Sequence, residues 1–576
     1  MLSPMLARVQ SYFLTGIDAH PCEVEIDINP DANNSAEGSG EGRAMIVGLP
    51  DAAVKESLER VRSALSNSGF FFPQGKTLVN LAPADVKKEG PLYDLPIAVG
   101  LMVGLGMIGA KGKIANGKSQ IANGEKGKSE VVVKLGREAM AGVKMSNGAG
   151  GVGKDLSLTR EALLDGLDPR QWLFAGELAL DGRLRPVRGV LAMAALAEQK
   201  GYRGVIVPAD NAAEASVVQG IEAIGVRTLA EVVGILNGTL HVEPHPPLDV
   251  QSRLATAEAP VDFAEVRGQE AVKRAIVVAC AGSHNLVMLG PAGTGKTMMA
   301  RALPGVLPPL TVSEAIEITR IYSAAGQLRP GEGLVTMRPV RTPHHTASGS
   351  AIVGGGAVPK PGEISLAHRG VLFMDELPEF PRDVLETLRQ PLEDHVVTIA
   401  RSHSAVRFPA SFMLVAAMNP TPKGDVPRDE VGKKAMDRYL SKISGPLIDR
   451  IDIHVEAPAV PWKELSAGLS DTRPKGTSSA DMRAQVLAAR EIQTKRQGVA
   501  TPNARLSGKQ LDKLAVLSED ARTVLGQAMT ELGLSARAYD KIRRVARTIA
   551  DLAGVEEIGV EQVGEAIGYR LLDRKV

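Results

Sequence analysis

Apolar and polar residues alternate from Val24 to Ile28, the two-residue period of a strand with one buried face. Residues 77–81 read as a second, buried strand. Residues 51–65 and 212–219 carry apolar positions at helical spacing, and Gly204-Val-Ile-Val-Pro208 is a short apolar strand. Residues 1–240 are therefore expected to form an α/β domain. The longest uncharged apolar run, 95–110, holds Pro96 and four glycines. It is shorter than the roughly 20 residues a membrane span needs and reads as a buried core helix. A second α/β unit, 261–465, contains apolar strands at 285–289, 371–374 and 413–418. From Asp481 the period is helical (481–493, 507–517, 521–532, 536–552 and 560–571), which predicts a small all-α domain over 481–576.

Three stretches break these patterns. Residues 241–260 are proline-rich without periodicity and 466–480 are polar, so both read as linkers. Residues 111–154 hold ten glycines, eight lysines and one arginine against three acids, and Ile114-Ala-Asn-Gly117 recurs as Ile121-Ala-Asn-Gly124. So little apolar surface does not offset the entropy of ordering, and a disordered surface insertion is expected. A basic arm touching nucleic acid is the sharper alternative.

Composition then narrows the function. Among 576 residues, 67 Lys and Arg meet 66 Asp and Glu, a net charge of +1, so any nucleic-acid contact must be local. Aromatics at 3% argue against a base-stacking single-strand binder. Two cysteines, Cys22 and Cys280, exclude a disulfide framework or a four-cysteine zinc site and fit a reducing cytoplasm. The start of the chain lacks the basic-then-apolar pattern of a secretion signal.

The chemistry is concentrated after residue 285. Gly290-Pro291-Ala292-Gly293-Thr294-Gly295-Lys296-Thr297 follows an apolar strand and opens a helix. Glycines in that order let backbone N–H groups close around phosphate oxygens, and the helix start adds positive potential. Lys296 would reach the β- and γ-phosphates of ATP, and the Thr297 hydroxyl would ligate Mg²⁺. The strand 371–374 delivers two acids at its carboxyl end: Asp375 to hold Mg²⁺ through water, Glu376 to polarise the attacking water. A third apolar strand ends at Asn419, whose amide would sense the γ-phosphate or hold that water.

This ordered set resembles an AAA+ ATPase and, more narrowly, the Mg-chelatase-like family typified by ComM and YifB. Matching stretches include Asp262-Phe-Ala-Glu-Val-Arg-Gly268-Gln269, Pro361-Gly-Glu-Ile-Ser-Leu-Ala-His368, Asp375-Glu-Leu-Pro-Glu-Phe380, Ser444-Gly-Pro-Leu-Ile-Asp-Arg450 and Leu534-Ser-Ala-Arg537. In the first domain they are Val47-Gly-Leu-Pro-Asp51, Asn80-Leu-Ala-Pro-Ala-Asp85 and Gly176-Glu-Leu-Ala-Leu-Asp-Gly182. The resemblance implies ATP and Mg²⁺ as cofactors and Gln269 beside the nucleotide. It implies Arg450 as an arginine finger for a neighbour's nucleotide, Arg537 as a second γ-phosphate sensor from the lid, and a homo-hexameric ring. It also implies that 320–360, with Arg338, Arg341 and Lys360, is a helix-2-type insertion. The hairpin 396–409, with Arg401 and Arg407 around Ser402-His-Ser404, would be a pre-sensor hairpin. Such loops point into a ring's pore and grip a phosphate backbone. His344-His345 lacks a third metal ligand. The cysteine cluster that relatives often carry after the sensor asparagine is missing from 420–428.

The first domain resembles the Lon-protease fold, through Lys88-Glu-Gly-Pro91 and Pro186-Val-Arg-Gly189. The positions of its serine and lysine are Leu92 and Leu191, which neither attack nor accept a proton, so a non-catalytic platform is expected. The expected architecture is a Lon-like α/β domain, an AAA+ phosphate-loop α/β core and a helical lid. The expected function is a cytoplasmic, DNA-dependent ring ATPase driving branch migration in recombination or natural transformation. An ATPase that remodels protein partners, or the ATPase subunit of a metal chelatase, is the alternative.

Overall fold

The computed structural model describes residues 5–29, 44–109, 166–356, 358–401, 404–421, 434, 436, 438–459 and 477–573. The insertion expected at 111–154, the hairpin tip at Ser402 and His403, and most of the linker expected at 466–480 lie outside the described residues.

The first unit is a mixed seven-stranded sheet. Its strands are β1 (Met5–Thr15), β2 (Asp18–Asn29), β3 (Ala44–Val47), β4 (Lys76–Ala82), β5 (Trp172–Phe174), β6 (Gly204–Pro208) and β7 (Glu222–Val226), in the order β3-β4-β2-β1-β5-β6-β7. The alternation in β2 turns Cys22, Val24, Ile26 and Ile28 to the core. Against that face lies α1 (Asp94–Gly104), buried along nearly its whole length. It approaches closely because it carries glycine at the contact: a Cβ on Gly100 would stand 2.7 Å from Ile26 Cδ1. An all-round apolar helix thus serves the core, as its length requires. Among the described residues no helix is long and apolar enough to cross a membrane.

The second unit holds a five-stranded parallel sheet. Its strands are β8 (Leu286–Leu289), β9 (Val340–Arg341), β10 (Val371–Met374), β11 (Met413–Met418) and β12 (Ile453–Glu456), in the order β9-β10-β11-β8-β12. Because all five run the same way, their carboxyl ends share one edge and their amino ends the other. Helices α3 (Glu270–Gly282), α4 (Lys296–Ala302) and α5 (Val312–Ala325) belong to this unit.

The first unit is fixed to α5. The buried Glu214 carboxylate accepts from the Leu191 N–H at 2.7 Å and from the Ser323 hydroxyl of α5. Around it pack Leu191, Val217, Leu310, Ala315 and Ile318. The proline-rich stretch 241–260 is not a bare connector: it holds a short helix, α2 (Val250–Ala255), whose Val250 joins this cluster. Proline masks that helix in the sequence.

The C-terminal helices share one core with the second unit. Among them are α7 (Ser479–Gln497) and α8 (Ala536–Ala553), with α6 (Gly349–Val353) lying earlier, in the second unit. Val486, Leu511, Leu525, Ile549 and Val563 join Val277, Ala279, Leu286 and Val415 in a single apolar cluster. A polar latch reinforces it. Lys541 Nζ lies 2.5 Å from Asp452 Oδ1, and the Asn285 N–H donates to Asp452 Oδ2 at 2.9 Å. Burial pushes the Asp452 carboxyl up, but Lys541 and His284 outweigh it and hold the group well below the usual range. Asp452→Asn strands the buried ammonium and should lower unfolding free energy by about 3–5 kcal/mol in denaturant titrations at neutral pH. A depressed acid contributes its stability above the ordinary carboxylate range and loses it as pH falls, so the deficit should shrink in acid.

Candidate nucleotide-binding site

The loop 290–295 leaves β8 at the carboxyl edge of the sheet and runs into α4. Gly290 has no room for a side chain: a Cβ would stand 2.1 Å from the Ala457 carbonyl oxygen. Gly293 and Gly295 adopt φ of +81° and +83°, and no atom lies within 4 Å of where their Cβ would be, so the loop faces open space. Lys296 is 7% exposed, and its ammonium folds back over the loop. Its Nζ donates to the carbonyls of Gly290 (2.7 Å) and Pro291 (2.9 Å) and to Asn419 Oδ1 (3.1 Å). Burial lowers its pKa, against the pull of Asp375 and Glu376. All three ammonium protons are thereby held by neutral oxygens, which phosphate oxygens outcompete.

The neighbouring strands complete the edge. Thr297 Oγ1 donates to Asp375 Oδ2 at 2.6 Å. Asp375 leaves the end of β10, and Glu376 follows in the left-handed region at φ +53°. Its side chain is 48% exposed, toward solvent. Gln269, also left-handed at φ +59°, donates from Nε2 to the Pro458 carbonyl at 2.6 Å, behind the loop, while its Oε1 is buried without a partner. Five sequence-predicted residues, Lys296, Thr297, Asp375, Glu376 and Asn419, thus meet at one edge.

These residues fit Mg-ATP. The open glycine loop suits a triphosphate, two hard oxygens side by side suit Mg²⁺ completed by water and phosphate, and the orphaned Gln269 Oε1 offers an acceptor to a ligand.

Arg450 and Arg537 lie elsewhere. Both line a cavity of about 940 Å³ that also takes in Asn285, Gly370 and Met413, which precede or open their strands at the amino edge. Within one chain neither is brought to Lys296. Arg450 pairs with Glu393 at 2.6 Å and donates to the Pro446 and Arg389 carbonyls. Arg537 is 65% exposed, with Asp449 at 3.9 Å.

The tentative DNA contacts divide. Arg338 is committed to structure: it pairs with Glu314 at 2.8 Å and donates to the carbonyls of Pro308, Pro309 and Arg369. Arg341 makes a two-pronged pair with Glu363 at 2.6 and 2.7 Å. Lys360 and Arg407 are exposed. Arg401 ends the first strand of the hairpin Val396–Arg401 and Ser404–Pro409, and its side chain lies outside the described residues. The residue that sequence reasoning did not place here is His345, whose Nδ1 stands 3.4 Å from Glu376 Oε2. Its only signal is a histidine pair in a polar segment.

The magnesium chelatase subunit ChlI family matches residues 262–465, its C-terminal family matches 476–570, and a further Mg-chelatase ChlI family matches 34–127 and 158–211. The competence protein ComM of Haemophilus influenzae is 39% identical over 99% of this chain and 98% of its own length. The chain belongs to the Mg-chelatase-like ComM/YifB family. YifB of Escherichia coli is 37% identical over 99% of this chain and 98% of its own. The 38 kDa magnesium-chelatase subunit of Rhodobacter capsulatus is 26% identical over 49% of this chain and 85% of its own. Proteins of the AAA+ Mg-chelatase family use ATP with Mg²⁺ and are typically oligomeric. The parallel sheet and the helical C-terminal region are consistent with that fold.

Proposed function

We propose that this protein is an ATP-hydrolysing AAA+ ring motor that acts on DNA in the cytoplasm, a branch-migration helicase serving recombination or natural transformation. The meeting of Lys296, Thr297, Asp375, Glu376 and Asn419 at one sheet edge carries the ATPase part of this reading. Near-full-length similarity to a competence protein supports the DNA part. The loop amides and Lys296 would hold the triphosphate, and Thr297 with Asp375 would hold Mg²⁺, which when bound would supply positive charge beside the β- and γ-phosphates. Glu376 polarises the attacking water, and Asn419, released by Lys296, orients it. Arg450 and Arg537 act on the nucleotide of the next subunit, since their cavity opens at the edge opposite their own phosphate loop. The first unit is a Lon-like platform without peptidase chemistry: Leu92 and Leu191, at the positions of the Lon serine and lysine, are buried apolar side chains.

The test is ATP turnover with no DNA and with single-stranded, duplex and branched DNA. Stimulation by branched DNA supports the proposal, and indifference to every DNA favours remodelling of protein partners. Lys360→Ala and Arg407→Ala should each lower the log–log salt slope of DNA binding by roughly 1. Equal slopes for wild type and both variants would place the grip elsewhere.

A further inference from the structure

The cavity of about 940 Å³ that takes in Arg450 and Arg537 is walled by the amino edge of the parallel sheet and by the C-terminal helices. Arg369 and Ser411 shortly precede β10 and β11, Arg490 lies on α7, Arg505 ends the turn Asn503–Arg505 after it, and Arg544 lies on α8. Eight cations in all line the cavity, against five acids. A sixth acid, Glu317, pairs with Arg369 at 3.0 Å, so two positive charges are left over.

The surplus falls on particular residues. Glu314 is engaged by Arg338 at 2.8 Å, Glu393 by Arg450 at 2.6 Å and Asp452 by Lys541 at 2.5 Å. Among the described residues Arg490, Arg505 and Arg544 pair with no carboxylate and bond only neutral oxygens. Arg490 Nη2 donates to the Cys280 carbonyl at 3.0 Å and the Ser283 hydroxyl at 2.5 Å, Arg505 Nη2 to the Ser411 hydroxyl, and Arg544 Nε to the Leu506 carbonyl at 3.0 Å. The buried Arg490 Nε has no partner. Burial, then the charges of Arg338 and Arg505, lower the Arg490 pKa to about 10. Burial, then Arg505 and Arg369, push the His395 imidazole on the same cavity wall down to about 4. A guanidinium held by neutral oxygens alone exchanges them readily for an anion, because charge-assisted bonds are about twice as strong, and its fork matches phosphate oxygens.

Two charges match one phosphate group, which carries about −1.5 to −2 near neutral pH. The volume lies toward the upper end of small-ligand pockets, about 300–1,000 Å³, and leaves room for an organic body beside the phosphate. The two arginines read above as reaching the next subunit's nucleotide have other anchors: Arg450 is held by Glu393, and Arg537 stands beside Asp449. We propose that Arg490 and Arg505, with Arg544 as a third cation, form a binding site for a small phosphomonoester, which ties the C-terminal helices to the amino edge of the sheet.

The experiment titrates glycerol 3-phosphate into the full-length Lys296→Ala protein by calorimetry without Mg²⁺, a background that weakens the phosphate loop. One site per chain should be seen. Adding Arg490→Gln or Arg505→Gln should weaken it about tenfold or more, Arg505→Lys less, and Arg450→Ala by no more than about twofold. Ligand-free melting temperatures are recorded for each variant, and Arg505, in a turn and partly exposed, decides the matter if Arg490→Gln is unstable. Absence of binding, or equal affinity with and without Arg505→Gln, overturns the proposal. A loss in Arg450→Ala as large as in Arg505→Gln would place the ligand in the neighbour's nucleotide site and overturn it too. Inorganic phosphate, titrated in the same way, should bind more weakly; equal or tighter binding would overturn the ester and assign the free anion. Displacement of glycerol 3-phosphate by a duplex without terminal phosphates would make this a DNA contact, against the proposal.

Discussion

Replacing Arg450 by alanine should lower ATP turnover by about 10³–10⁵-fold while leaving ATP binding in place. In free energy this is roughly 4–7 kcal/mol of transition-state stabilisation. An ion pair with one exposed partner, such as Arg450 with the 55% exposed Glu393, is worth about 1 kcal/mol, so a structural role and a catalytic one differ by orders of magnitude in rate. The side chain is 11% exposed and held by Glu393 and two carbonyls, which presents the guanidinium in a set direction before any neighbour arrives. Arg537 shares the cavity, so Arg537→Ala should lower turnover with the same binding-intact signature. The decisive measurement is mixing. Lys296→Ala subunits bind nucleotide poorly but carry a sound Arg450, so assembling them with Arg450→Ala subunits should recover part of the activity. Reassembled mixtures that stay inactive at every ratio would remove Arg450 from the neighbour's site.

Glu376→Gln should lower turnover by about 10²–10⁴-fold, the range spanned by a positioned general base. The amide keeps the size and the left-handed backbone of Glu376 but accepts no proton. Thr297 and Asp375 are untouched, so Mg²⁺ and ATP should remain bound and unhydrolysed, and the protein should accumulate in its ATP state. A filter-retention assay should find labelled ATP, not ADP, on the variant. Bound ADP at the wild-type rate would assign water activation to another group.

The parts of this molecule written in local chemistry are legible in the sequence. The glycines before Lys296 answer to local needs, Gly290 to the close approach of the Ala457 carbonyl at 2.1 Å and Gly293 and Gly295 to positive φ, and these needs fall within one short stretch. The strands before Asp375 and Asn419 are legible because four to six fully buried apolar residues have few other uses. What is not legible depends on remote partners. Arg338 looks like an open cation until Glu314, 24 residues earlier, and three carbonyls are folded around it. Arg341 is equally hidden by Glu363. The separation of Arg537 from Lys296 follows from where α8 docks, and the contact of His345 with Glu376 from how the turn after β9 folds back across the sheet edge. Neither has a spacing rule along the chain.

The core shared by the C-terminal helices and the parallel sheet has a mechanical consequence. Ile549, Val486 and Val563 are interleaved with Ala279 and Leu286 in one apolar mass, and Asp452 is clasped by Lys541 across the seam. Swinging the C-terminal helices away would expose that mass to water at about 25 cal/mol for every Å² uncovered, as well as parting the clasp. The two pieces therefore travel as one stiff lever. In the ring proposed above, the hinge of an ATP-driven stroke would then lie outside the polypeptide's own interior, in the gap between one copy and the next.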